Sequence, residues 1–159
     1  MEIPFQIIFA VASISIIISA VFYALYLNFK NQSDNRVQKQ FEIFYSQIEN
    51  LCWSFPFTKV EEKVSLNQNV FAIFAIDDQE KIKRDFIESL IENKEITQGN
   101  FICLWFKDKR PICKPLSCNV SIPIVYFEKD KITNQNLFGI VEYDRWFTLI
   151  RYANNVSIR

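Results

Sequence analysis

Polar and apolar positions divide the chain into regimes of different period. From Ile3 to Phe29 no side chain carries a charge, and the apolar centre, Ile7 to Leu27, is 21 residues long. As a helix that centre spans about 31 Å, close to a bilayer core of roughly 30 Å. The pattern predicts a transmembrane helix over residues 1–30, with Ile7, Ile8, Val11, Ile14, Ile18, Val21 and Leu25 facing lipid. Ser13, Ser15 and Ser19 can return their hydroxyls to carbonyls of the same helix, so they do not oppose insertion. Tyr23 and Tyr26 suit the lipid–water boundary, and Lys30 closes the run. A cleaved secretory signal fits less well. It wants a basic start, a shorter apolar stretch and a small-residue cleavage site, where this chain has Met1-Glu2 and a tyrosine-rich exit. A buried core helix is the other alternative.

Beyond the run the period becomes helical and amphipathic. Asn31 to Asn35 is a polar patch, either a hinge or the wet stretch of one continuous helix. Val37, Phe41, Phe44, Ile48 and Leu51 then step by four, three, four and three residues. This stripe predicts a helical stalk over 31–55 that covers a sheet, since barely two heptads are too few for a coiled-coil seam. Pro56 ends it. Period-two and continuous apolar runs follow at Val60–Leu66, Val70–Ile76, Phe101–Phe106, Val120–Phe127, Leu137–Tyr143 and Trp146–Tyr152. A short last strand, Val156–Arg159, is expected to pair back across Asn154-Asn155, because asparagine tolerates the positive φ of tight hairpins. Asp77 or Asp78 can cap an inserted helix, Asp78–Asn93, with Ile82, Phe86, Leu90 and Ile91 on one face. The fold class is therefore α+β: an N-terminal transmembrane helix continuing as an amphipathic helix packed on an antiparallel β-sheet, with residues 56–159 as one globular domain.

Composition excludes several functions. Eighteen basic side chains balance 18 acidic ones, which removes an electrostatic case for nucleic acid. Two glycines, Gly99 and Gly139, cannot build a phosphate-cradling loop. No histidine is present, so Ser-His and Cys-His pairs are impossible and no catalytic residue is assigned. The carboxylates Glu61-Glu62, Asp77-Asp78 and Asp144 beside Arg145 read as solvated surface. Phe101, Trp105, Phe106, Trp146 and Phe147 read as core in preference to a stacking platform. We expect a non-enzyme with no cofactor.

Four cysteines remain: Cys52, Cys103, Cys113 and Cys118. Their closest spacing, C-x4-C without histidine, is poor for zinc, and no metal site is assigned. An even number beside a membrane anchor suggests two disulfides. Cys103–Cys113 across a turn at Lys107–Arg110, with Cys52–Cys118, is the first connectivity; Cys113–Cys118 with Cys52–Cys103 is the next, and four buried thiols is the third reading. The sequons at Asn31, Asn119 and Asn155 are glycosylation candidates and also favour an exported domain. The flanking charges Lys30, Arg36 and Lys39 point the opposite way by the positive-inside rule. Cysteines and sequons together favour an extracellular domain.

The uncharged run MEIPFQIIFAVASISIIISAVFYALYLNFK, the amphipathic continuation QKQFEIFYSQIENL and the β-rich, cysteine-bearing domain resemble the layout of type IV pilin-like proteins, the archaeal ones in particular. That resemblance implies a helix that rests in the membrane and, in an assembled filament, packs its apolar half in a helical core with globular domains outside. The function expected is that of a membrane-anchored, surface-exposed structural subunit, pilin-like or pseudopilin-like, assembling through its N-terminal helix. Its partners would be membrane lipid and either further copies of itself or other subunits. The alternative is a single-pass accessory, sensor or binding subunit of a larger membrane complex.

Overall fold

The structure, a computed structural model, describes residues 4–76, 99–122, 125–126, 134–135 and 141–159. One helix, α1 (Phe5–Cys52), runs 48 residues without interruption. The Asn31–Asn35 patch is continuous helix and not a hinge, because neither glycine nor proline breaks the hydrogen-bond ladder there. At the helix start Pro4 sits just outside the first turn, and its carbonyl accepts from the Ile7 N–H at 2.9 Å. At the far end the Trp53 and Ser54 N–H groups donate to Asn50 and Leu51, and Pro56 bars continuation. The Ser13, Ser15 and Ser19 hydroxyls donate to the carbonyls of Phe9, Val11 and Ser15 at 2.8–2.9 Å. Between Phe5 and Phe29 no side chain is buried, and the helix is long and apolar enough to cross a membrane.

Among the described residues nine strands follow: β1 (Lys59–Asn67), β2 (Val70–Ile76), β3 (Asn100–Phe106), β4 (Ile112–Leu116), β5 (Asn119–Ser121), β6 (Val125–Tyr126), β7 (Asn134–Gln135), β8 (Val141–Arg151) and β9 (Asn155–Ile158). The architecture is α+β, but the single antiparallel sheet expected from sequence is replaced by two sheets. One has the order β1-β8-β9-β5 with β7 also on β8, and the other β4-β3-β2-β6. Within the first, β5 pairs with β9 in parallel. Alternation along a strand assigns its faces and says nothing about its neighbours. A parallel partner needs a long crossover, which the chain between Ser121 and Asn155 provides.

The two runs Leu137–Tyr143 and Trp146–Tyr152 prove to be one strand from Val141 onward. Its charged pair is accommodated in place: Asp144 accepts from Lys63 and Ser65 on β1, and the Arg145 guanidinium lies 5.9 Å from the Phe147 ring centre. The β8–β9 hairpin forms across Asn154-Asn155, with the Tyr152 N–H donating to the Asn155 carbonyl at 2.7 Å. Neither asparagine adopts positive φ, however. Among described residues the only non-glycine that does is Phe57, at 67°. The Asp78–Asn93 helix and residues 137–140 lie outside the described residues.

The α1 stripe Val37, Phe41, Phe44, Ile48 and Leu51 shares one core with Val64 and Leu66 of β1, Phe147 and Leu149 of β8, and Ile73, Ile102, Leu104 and Phe106 of the second sheet. The opposite face of β2 and β3 carries a second cluster, Ala72, Phe74, Ile76, Phe101 and Cys103. Burial of this kind contributes about 25 cal/mol per Å² of apolar surface, and it explains why α1 is held from residue 33 onward.

Candidate functional site at the root of the helix

Where α1 leaves its bare apolar half, two hairpin turns grip it. Ser33 and Asp34 are buried, Asp34 to 2 % exposure, although the sequence reads this patch as wet. Asp34 Oδ1 accepts from Asn67 Nδ2 at 2.8 Å and Asn69 Nδ2 at 3.1 Å, and its Oδ2 accepts from Lys109 Nζ at 2.5 Å. Asn67, fully buried, also donates to Ser33 Oγ at 3.1 Å. Its Oδ1 accepts from the Asn69 N–H, which fixes the β1–β2 turn. The Lys107 N–H donates to the Asn69 carbonyl at 2.7 Å, so the β1–β2 and β3–β4 turns are tied to each other as well as to the helix. A buried carboxylate is costly unless its charge is met and its lone pairs filled, and here one ammonium and two amides do both.

One turn earlier Lys30 Nζ lies 2.5 Å from Asp108 Oδ2. That hydrogen bond holds the Asp108 carboxyl below its usual range, against the opposing effect of partial burial. From this root the β3–β4 hairpin runs up the helix as a strap. Lys114 pairs with Glu42, the Ser117 N–H donates to Glu49 Oε2 at 3.1 Å, and Cys118 is bonded to Cys52. From residue 30 to 52 the helix rises about 33 Å, and residues 108–118, fully extended, cover about the same length. The fastenings therefore stay in step over the whole stalk. On the other flank β1 returns from Lys59 to Asn67, and the buried half of α1 packs over β1, β8 and β9, with Phe44 against Phe147 at 5.0 Å between ring centres.

The cysteines take the first of the connectivities open to them. Cys103 and Cys113 face each other across β3 and β4 with Cα atoms 4.1 Å apart, and Cys52–Cys118 spans 5.5 Å. The apolar positions Ile7, Ile8, Val11, Ile14, Ile18, Val21 and Leu25 are exposed along α1. Of the glycosylation candidates, Asn31 is exposed beside the root, but the hydroxyl of its sequon, Ser33, is buried. Asn119 and Asn155 are half-buried and directly opposed in the parallel β5–β9 pair. The carboxylates fall on the surface: Glu61 pairs with Lys59 at 2.7 Å, and Asp144 with Lys63 at 2.7 Å. Asp77 and Asp78 lie outside the described residues. Phe101, Phe106 and Phe147 are core, while Trp146 is 65 % exposed and stands apart from them. No group of three His, Cys, Asp or Glu side chains converges among the described residues.

The grip was missed in the sequence although a signal is present. Carried backward, the spacing of the stripe 37, 41, 44, 48, 51 lands on Asp34, and a carboxylate in phase with a core stripe announces a buried polar contact. Its partners, Asn67, Asn69 and Lys109, are distant in sequence and carry no such mark. Comparison with protein-family models, with curated proteins and with solved structures finds no match to this chain.

Proposed function

We propose that the chain is a single-pass, membrane-anchored structural subunit of pilin-like type, its disulfide-bonded domain outside the cell and its N-terminal helix the element that assembles. One observation carries this reading. A single unbroken rod has one half gripped by a domain and the other half bare, apolar and uncharged. Such a half cannot remain in water, yet it can exchange lipid for the like halves of neighbouring copies without stranding a backbone polar group. The two disulfides support the oxidising side of the membrane. The test is to purify the full chain in detergent and then withdraw the detergent. Ordered oligomers or filaments with protease-accessible domains are expected; a dispersed monomer overturns the reading.

The accessory-subunit reading is favoured by a different observation. Trp53, Phe55 and Phe57, at the end of α1 remote from its apolar half, are 78 %, 87 % and 77 % exposed. A patch of that kind fits a partner protein. Replacing all three with serine separates the two readings, since a subunit that assembles through its helix loses nothing and a partner-binding subunit loses its complex.

A further inference from the structure

We propose that the face of the first sheet turned away from α1 binds a neutral oligosaccharide, with a pyranose ring stacked on Trp146. The proposal rests on the fold of the domain alone and stands whether or not α1 assembles. Strand register puts the indole on that face. Phe147 packs inward onto Phe44 of α1, so its neighbour Trp146 must point outward, and it is 65 % exposed. Packing does not ask for tryptophan there. Across this stretch of β8 the outward residues of β1 are Glu61, Lys63 and Ser65, all polar. The face looks away from the helix, so copies joined through α1 would leave it open to the surroundings.

The surroundings of the indole decide what it can take. Lys63 lies directly across from Trp146 in the β1–β8 register, and Asp144 and Thr148 stand about 7 Å to either side of it along β8. These polar groups are fixed. Asp144 accepts from Lys63 Nζ and from Ser65 Oγ, each at 2.7 Å, and Glu61, opposite Thr148, accepts from Lys59 Nζ at 2.7 Å. On the other edge of β8, Thr148 exchanges both backbone hydrogen bonds with Arg159, the residue after β9. An apolar protein surface laid over the indole would strip water from two ion pairs and gain one ring in return. A sugar strips neither pair. One face of a pyranose is C–H, which the negative face of an aromatic ring attracts, and its edge carries hydroxyls that both donate and accept. One such hydroxyl can accept from Lys63 and donate to Asp144 without parting them. Because Lys59 and Lys63 already meet carboxylates, the ligand that fits beside them is uncharged.

The full chain in lauryldimethylamine oxide, a detergent without a sugar headgroup, tests this by calorimetric titration with cellohexaose, maltohexaose, mannohexaose and chitohexaose. At least one of the four is expected to bind, and Trp146→Ala should weaken it about tenfold or more, the loss typical of truncating a central tryptophan at a binding surface. Trp146→Tyr keeps a ring for stacking and should retain more of the affinity than the alanine variant. The melting temperature of Trp146→Ala should match that of the parent, because the side chain lies outside the core, so lost binding is not lost folding. Trp53→Ala removes a more exposed indole, at 78 %, and should change nothing. In about 1 M salt the affinity should stay within about twofold, since an uncharged ligand has no charge to screen. No heat with any of the four probes, unchanged binding in Trp146→Ala, or binding lost in Trp53→Ala overturns the site, and none of these outcomes bears on assembly through α1.

Discussion

Asp34 and Phe57 are the residues at which local chemistry and tertiary demand conflict most. The Asp34 carboxylate is buried beneath two turns, and among the described residues the cation paired with it is Lys109, itself half in water. Lys109→Met should destabilise the fold by about 2 kcal/mol or more, because it leaves a buried charge without its counter-charge. Asp34→Asn added to that variant should restore most of the loss, an outcome a denaturant double-mutant cycle measures directly. Phe57 holds φ of 67°, a region that costs most side chains about 1–2 kcal/mol. It is kept there by its N–H, which donates to the Arg151 carbonyl at 2.6 Å, and by an edge-to-face contact with Tyr152 at 6.3 Å. Phe57→Asn should therefore leave stability unchanged or raise it, while Phe57→Val should lower it by about 1–2 kcal/mol. The surface carboxylates set a pH window. Hydrogen bonds from Lys30 to Asp108, and from Lys63 and Ser65 to Asp144, depress both carboxyls in the folded state. Their contribution is complete above the ordinary carboxylate value of 3.8 and disappears as pH falls through the lower folded values. The melting temperature should thus decline across that acid range, and less steeply in Asp108→Asn.

At the scale of elements, the strap along α1 depends on its covalent end. Cys52–Cys118 closes a sequence separation of 66 residues and Cys103–Cys113 one of 10. On the loop-entropy account removal costs about 4 kcal/mol for the first and about 3 kcal/mol for the second. The local consequences differ more than these totals. Cys52→Ser/Cys118→Ser frees the top of the strap, so hydrogen exchange should rise at Leu51 and Leu116. Cys103→Ser/Cys113→Ser leaves a β3–β4 hairpin still paired at Asn100–Leu116 and Leu104–Ile112. Elements of this kind were legible in the sequence where the signal is local: the uncharged run, the stripe of α1, and the apolar runs that became β2 and β3. The β3–β4 bridge was also legible, because it spans a single turn. What escaped depends on distant pairing. No period in Asn119-Val120-Ser121 indicates that it joins Asn155-Val156-Ser157 in register. β4 hides behind Lys114 and Pro115, which only an edge strand tolerates.

For the whole molecule, the division of α1 into a gripped half and a bare half has a consequence independent of what the chain assembles with. Among the described residues the buried side chains of the helix begin at Ser33, and none from Phe5 to Phe29 is buried. A polypeptide of residues 28–159 keeps the Lys30–Asp108 pair, the Asp34 cluster, the stripe and both disulfides. It should fold with a melting temperature close to that of the full chain in detergent. It should also be monomeric in plain buffer, because most of the apolar surface is removed and the helix face left exposed is Asn31, Gln32, Asn35, Arg36, Lys39, Ser46 and Asn50, with Phe29 and Ile43 its large apolar side chains. The cut leaves Lys30 and Asp34 near a free helix N-terminus, where a carboxylate is favoured and an ammonium is not, so the first turn should fray before the Asp34 contacts yield. Sedimentation and thermal melts of the two forms decide the matter. If the shortened chain fails to fold, the bare half supports the domain and is not solely an anchor, and the separation of roles along α1 is wrong.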